Sequence, residues 1–301
     1  MSRFAAFRAV PLILLVLAPV AILAGMVATG RLDGHGRDYV IRLDLPAAGA
    51  RLGLPPVQGP LDASRPLVVI DAGHGGHDPG AGTGAIREKA VTLALARALR
   101  DRLLADGGIR VALTRDEDRY LLLPERADIA RQLKADLFLS IHADSADNAG
   151  ASGATLYTLS ERGSSDAAAL LAAKENRADT INGVALGRQS DAVSAILVDL
   201  SQREAVAQSV EFARLVLREA AGVLRFREPA MQSAAFAVLK SADLPSVLFE
   251  AGFISNAGDA AGLVSPAGRD AFAGATARAI RVYFARRQPQ PGQSTVAAGP
   301  G

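Results

Sequence analysis

The hydrophobic positions follow two alternating rhythms along most of the chain. Short continuous apolar runs occur at Leu67–Ile70, Val111–Thr114, Leu137–His142, Ala154–Leu159 and Ser246–Glu250. Each is too short for a buried helix and is bounded by Gly, Pro, Asp or Ser, which predicts strands buried on both faces. Between them the spacing is helical. Val91, Leu95, Leu99 and Leu103 line one face of Glu88–Ala105, which Gly107 and Gly108 stop. Leu123–Lys134, with Pro124 near its start, Val210–Leu224 and Ala271–Arg286 read as further helices. Strands alternating with helices predict a single α/β domain: a mostly parallel twisted sheet covered by helices on both faces.

Outside this region the pattern changes. Residues 1–30 combine Arg3 and Arg8 with a long uncharged apolar stretch, as a secretory signal does. The stretch is also long enough to stay in a bilayer as a signal anchor, and cleavage is the favoured expectation. Either way the protein is expected to be exported, periplasmic in location, with membrane contact only through this segment if it is uncleaved. Residues 31–64 are Pro/Gly-rich and read as a linker with one short strand at Tyr39–Leu45; His35 within it is a solvated histidine. Residues 65–286 form the predicted catalytic domain, and 287–301 a Pro/Gly/Ser-rich tail expected to be disordered.

Composition narrows the chemistry. The chain has no cysteine, so disulfides and thiolate metal sites are excluded. Lys and Arg number 33 against 31 acids, and Arg3 and Arg8 supply the whole excess. The remainder is formally neutral and gives no support to nucleic-acid binding.

In open α/β sheets ligands bind where the strands end at their carboxyl side. His74 follows the first strand in VVIDAGHGGHDPGA, His142 ends LFLSIH, and Glu250 ends SVLFE. Glu88 opens the helix after the glycine-rich loop and joins them if that loop folds back. Two imidazoles and a carboxylate suit Zn²⁺, whose catalytic sites take three protein ligands and keep a fourth position open. His74, Glu88 and His142 are therefore the expected metal ligands. Glu250, at the end of an apolar strand where burial raises a carboxylate pKa, is the expected catalytic base. Asp71 and Asp144 read as orienting groups or loop caps, and His77 as part of a pocket wall. The loop lacks the GK[ST] ending of a phosphate cradle.

These segments, taken in order, resemble a known family. DAGHGGHDPGA, REK with Glu88, LTR with Arg115, LSIHADS and PSVLFEAGFISN are similar to the motifs of zinc-dependent N-acetylmuramoyl-L-alanine amidases of the AmiA/AmiB/AmiC type. The resemblance covers about Pro66 to Arg286. It implies zinc held by His74, Glu88 and His142, catalysis by Glu250, and hydrolysis of the amide between N-acetylmuramic acid and L-alanine in peptidoglycan during cell-wall remodelling and daughter-cell separation. Many relatives carry an N-terminal β-domain for septal targeting, which residues 31–64 are too short to form. Two alternatives stand beside this reading: a zinc peptidase or deacetylase on another cell-wall bond, and a catalytically silent wall-binding regulator.

Residues 160–201 are too long for an ordinary connection. They contain helix-like pieces at Asp166–Arg177 and Val193–Leu200, the latter with a stripe of Val193, Ile196, Leu197 and Leu200. The segment reads either as a helix packed on the core or as an autoinhibitory lid. Some members of the resembled group carry such a lid, released by an activator protein. Glu175 or Glu204 would then fill the open zinc position.

Overall fold

The computed structural model describes residues 53–146, 150–181, 184–185, 195–240 and 243–287; of residues 180, 181, 184, 185 and 195–200 only the backbone is described. The expected signal segment, the strand at Tyr39–Leu45, the C-terminal tail and the stripe of Val193, Ile196, Leu197 and Leu200 lie outside the described residues or side chains. Among the described residues no helix is long and apolar enough to cross a membrane.

The apolar runs do form the sheet. Strands β1 (Leu67–Ala72), β4 (Arg110–Leu113), β5 (Leu137–His142), β6 (Ala154–Leu159), β9 (Phe226–Ala234) and β10 (Ser246–Glu250) lie in the order β4-β1-β5-β10-β6-β9. The first four in that order are parallel, β6 runs antiparallel to β10, and β9 is parallel to β6. Small ladders pair β2 (Gly82–Thr83) with β3 (Ile86–Arg87) and β7 (Thr180–Ile181) with β8 (Val184–Ala185).

Strand alternation sends successive side chains to opposite faces. On one face Val68, Ile70, Leu139, Ile141, Val247 and Phe249 pack under helices α1 (Glu88–Asp106), α4 (Ala195–Ala220) and α6 (Pro266–Arg287), with α5 (Ala257–Val264) beside them. On the other, Val69, Phe138 and Leu248 pack under α2 (Leu123–Gln132) and α3 (Asp166–Glu175). Both faces are therefore covered, as the double-sided burial of the strands requires.

The structure departs from the sequence expectations at two places. The helical pieces at Val193–Leu200 and Val210–Leu224 are one helix, α4. The segment 160–201 thus ends inside an element of the core instead of closing on itself. Strand β9 was not foreseen, because FREPAMQSA lacks the continuous apolar run of a central strand; it lies at the sheet edge, where exposed polar positions are tolerated.

The polar side chains of the second face form one buried knot. The Asp71 carboxylate accepts from Thr114 Oγ1 at 2.6 Å, Ser140 Oγ at 2.7 Å and Arg126 Nη1 at 2.8 Å. Burial opposes ionisation of Asp71, but Arg126 and the two hydroxyls outweigh it and hold its pKa below the usual carboxylate value. A depressed carboxylate contributes stability above its unfolded pKa of about 3.9, and that stability is lost as pH falls through the lower folded value. Asp71→Asn should cost about 3–5 kcal/mol at neutral pH, because it leaves buried Arg126 without its counter-charge. The variant should also lose less stability than the parent between neutral and acid pH. Urea unfolding at both pH values checks this, and coincident midpoints at neutral pH would contradict it.

Candidate metal centre and active site

Strands β1, β5 and β10 are neighbours and parallel, so their carboxyl ends share one edge. Glu250 stands directly opposite His142 in the register. Two residues past β1, His74 is held at φ 59°, a left-handed conformation that costs a non-glycine residue about 1–2 kcal/mol. The glycines around it have separate reasons. A Cβ on Gly73 would come within 2.5 Å of the His142 ring, and one on Gly80 within 2.6 Å of the His74 ring. The loop then folds back through the β2–β3 hairpin and delivers Glu88 as the first residue of α1.

The result is a buried cluster. His74 Nε2 lies 3.2 Å from Glu88 Oε2 and 3.3 Å from Glu175 Oε2; His142 Nδ1 lies 3.2 Å from Glu88 Oε1 and 3.3 Å from Glu175 Oε2. Asp78 Oδ2 meets the other His74 nitrogen, Nδ1, at 2.7 Å. Both Glu88 oxygens also accept backbone N–H groups, from Ala81 at 2.8 Å and Ala143 at 2.9 Å. Burial opposes charge at both His74 and Glu88. Their mutual attraction, reinforced at His74 by Asp78 and Glu175 and at Glu88 by His142, holds His74 well above and Glu88 well below the usual values.

This donor set fits a metal ion. Donors at about 2.0–2.1 Å from a tetrahedral zinc are separated by edges of about 3.3 Å, and each imidazole lies 3.2–3.3 Å from both Glu88 and Glu175. His74 Nε2 makes no hydrogen bond although it is buried. The donors of His74, His142 and Glu175 all lie within 4.8 Å of one another, and Glu88 closes the same space from the α1 side.

Glu250 sits beside the cluster. One oxygen accepts from the Asp144 N–H at 3.1 Å; the other, Oε1, is buried with no hydrogen-bond partner. Burial first, then the charges of Asp144, Glu88 and Glu175, push its pKa well above the usual carboxylate value. That is the condition of a group able both to take and to return a proton.

The profile of the N-acetylmuramoyl-L-alanine amidase family (Amidase_3) matches residues 68–282. The chain belongs to this family. It is 39% identical over 223 residues to the amidase AmiA of Salmonella typhimurium, covering 73% of this chain and 77% of that protein. To AmiA of Escherichia coli K12 it is also 39% identical, over 220 residues, 72% and 76% of the two chains. The fold matches the catalytic domain of CwlV, an amidase from Bacillus (Paenibacillus) polymyxa var. colistinus, at TM-score 0.54 and 27% identity, over 73% of this chain and 98% of that one.

Within this amidase domain the structure brings together His74, Glu88, His142, Glu250 and Glu175. It does not bring Glu204, which is exposed on α4 and accepts from Gln208 Nε2 at 3.0 Å. Glu204 is not among the residues that wall the cavity at the strand ends. Asp71 lies below the site as an orienting group, and Asp144 holds Glu250. His77 packs against Tyr120 with ring centroids 4.0 Å apart and the planes tilted by 40°.

The end of α3 and the turn that follows it are fastened at four points. Lys174 donates to Asp144, and Glu175 lies between the two imidazoles. Asn176 pairs with the backbone of Ala235 and Ala237 at 2.9 and 2.7 Å. Asp179 accepts from the first N–H of α2, at Leu123, at 3.0 Å and from the Tyr120 hydroxyl at 3.0 Å. A cavity of about 310 Å³ remains, walled by His74, Gly80 and Ser145 on one side and Lys174, Glu175 and Arg177 on the other. A larger cavity of about 750 Å³, lined by Leu159, Gln202 and Val206, contains none of these groups. Lys174, Asn176, Asp179 and Tyr120 were not singled out from the sequence. No local periodicity marks a residue whose partner is a distant backbone group.

The contact between Gly73 and His142 gives a direct test. Gly73→Ala should displace the His142 imidazole from the cluster while the sheet stays folded. Nitrogen-15 spectra of the histidine rings should show shifted His142 resonances with a melting temperature lowered by only about 2–8 °C. Unshifted ring resonances would show that the site has slack that the geometry denies.

Proposed function

We propose that this chain is an exported zinc amidase that hydrolyses the bond between N-acetylmuramic acid and the L-alanine of the peptidoglycan stem. The observation that carries the reading is the spacing of His74, Glu88 and His142 with Glu250 beside them, in a chain of the amidase family. His74, Glu88 and His142 would hold the zinc, which when bound polarises the scissile carbonyl and acidifies water. Glu250 takes the proton of the attacking water on its unpartnered Oε1 and returns it to the leaving nitrogen of L-alanine. The Asp144 N–H fixes the other oxygen, so the carboxylate need not reorient during the transfer. The apolar, basic N-terminal segment supports export.

Segment 160–201 is read as a gate. Glu175 occupies the space between the imidazoles where water and substrate would enter, and Lys174, Asn176 and Asp179 hold it there. An activator protein that docks on the segment would draw these groups away together. A closed state favoured by ~3 kcal/mol leaves under about 1% of molecules open.

Three measurements test the reading, and a fourth tests the gate. Mass spectrometry of muropeptides after digestion with zinc-loaded protein should show free stem peptides beginning at L-alanine. Products cut at another bond would favour the peptidase or deacetylase alternative, and no products at all, even with the gate opened, the silent regulator. His74→Ala should lose stoichiometric zinc. Glu250→Gln should keep zinc but fall by ~10²–10⁴ in rate. For the gate, Glu175→Ala together with Asp179→Ala should raise basal hydrolysis by about tenfold or more at unchanged zinc content. A rate no higher than that of the parent protein would make the segment a packed helix only.

A further inference from the structure

Two buried arginines converge on the backbone of the turn that carries His74. Arg126 donates from Nη1 to the Ala72 carbonyl at 2.8 Å and from Nη2 to the His74 carbonyl at 2.9 Å, while Nη1 also meets Asp71. Arg115 donates from Nε to the Ala72 carbonyl at 2.9 Å and from Nη2 to the Gly73 carbonyl at 2.8 Å. Thr92 Oγ1 adds a further bond to Gly73 O at 2.8 Å. Three successive carbonyls are thus gripped by two rigid planar forks that come from outside the loop.

Buried carbonyls need partners, but an N–H group or a water would suffice. Burying two guanidinium groups side by side is a costly way to supply them. Arg115, nearly inaccessible at 1% exposure, is depressed to about 10 by burial and by the neighbouring Arg126 charge. What the forks add is rigidity. The turn reads Gly73-His74-Gly75-Gly76, and Gly75 and Gly76 themselves stand at φ 131° and 59°. Glycines leave such a turn many conformations, whereas His74 must keep one that its own side chain disfavours.

We propose that Arg126 and Arg115 are positioning residues: their grip on Ala72, Gly73 and His74 holds the strained turn and aims the His74 imidazole at the metal position. The significance for zinc rests on the proposed metal reading; the grip itself does not. Asp71 provides the counter-charge that makes Arg126 tolerable in the interior, and Ser140 and Thr114 orient Asp71 in turn.

The test compares Arg126→Met, Arg126→Lys and Thr92→Val with Leu103→Ala, a core truncation in α1 that lowers stability without touching the turn. Two readouts are needed. In zinc-free protein, amide exchange at Gly73 and Gly75, whose N–H groups bond to Ile141 O and Asp78 O, should accelerate by about tenfold or more in Arg126→Met relative to the β5 amides. In Leu103→Ala those two amides should remain protected relative to β5. Competition with a chromophoric chelator should show zinc affinity weakened by about 10–100-fold in Arg126→Met, less in Arg126→Lys, and unchanged in Leu103→Ala. Cobalt-substituted Arg126→Met should show shifted absorption bands for the same reason. If Arg126→Met does not fold, Arg126→Lys and Thr92→Val carry the comparison, each with smaller effects in the same direction. Unchanged exchange at Gly73 and Gly75 in the folded variants overturns the proposal. Failure of the parent protein to bind zinc, with the exchange pattern as expected, would overturn the metal reading and leave the clamp standing.

Discussion

The Asp71 carboxylate is the point on which the catalytic edge depends. It is the penultimate residue of β1 and fully buried, yet it reaches Thr114 after β4, Ser140 on β5 and Arg126 on α2. One charge therefore ties two neighbouring strands and a covering helix together beneath the ligand turn. A buried ion pair is weak evidence for net stability, because desolvation offsets much of the attraction. Its contribution here is geometric: Arg126 can hold the His74 carbonyl only because Asp71 keeps a guanidinium in the interior.

Above this knot the electrostatics reverse. Glu88, Glu175, Glu250 and Asp144 crowd one edge of the sheet, and among the described residues the basic side chains in contact with them are the two imidazoles and Lys174. Such a cluster needs positive charge. A zinc ion would satisfy Glu88 and the imidazoles without requiring either ring to be protonated, and Lys174 answers Asp144 from the end of α3.

Much of this was legible beforehand. The run LFLSIH states its own alternation: Leu137, Leu139 and Ile141 turn to one helical layer, while Phe138, Ser140 and His142 turn to the other. Because such strands end at a common edge, His142 and Glu250 could be placed together before their pairing was seen. Glu88 was harder, since its approach depends on the glycine-rich loop folding back through a two-residue ladder too short to leave a periodic signal. Glu175 was named beside Glu204 without a means to choose, because both are acids on helical segments.

What the sequence determined by itself is what depends on neighbours along the chain: periodicity, strand ends, and the residue types able to bind a metal. Tertiary structure alone decided what depends on distance across the fold. It turned two apparent helices into α4, gave the unpromising FREPAMQSA an edge to occupy, and chose Glu175 over Glu204 by bringing one carboxylate to the imidazoles and leaving the other in solvent. It also paired Arg126 with carbonyls more than fifty positions away. A backbone carbonyl has the same chemistry at every residue, so no local pattern could have named the arginine that would reach it.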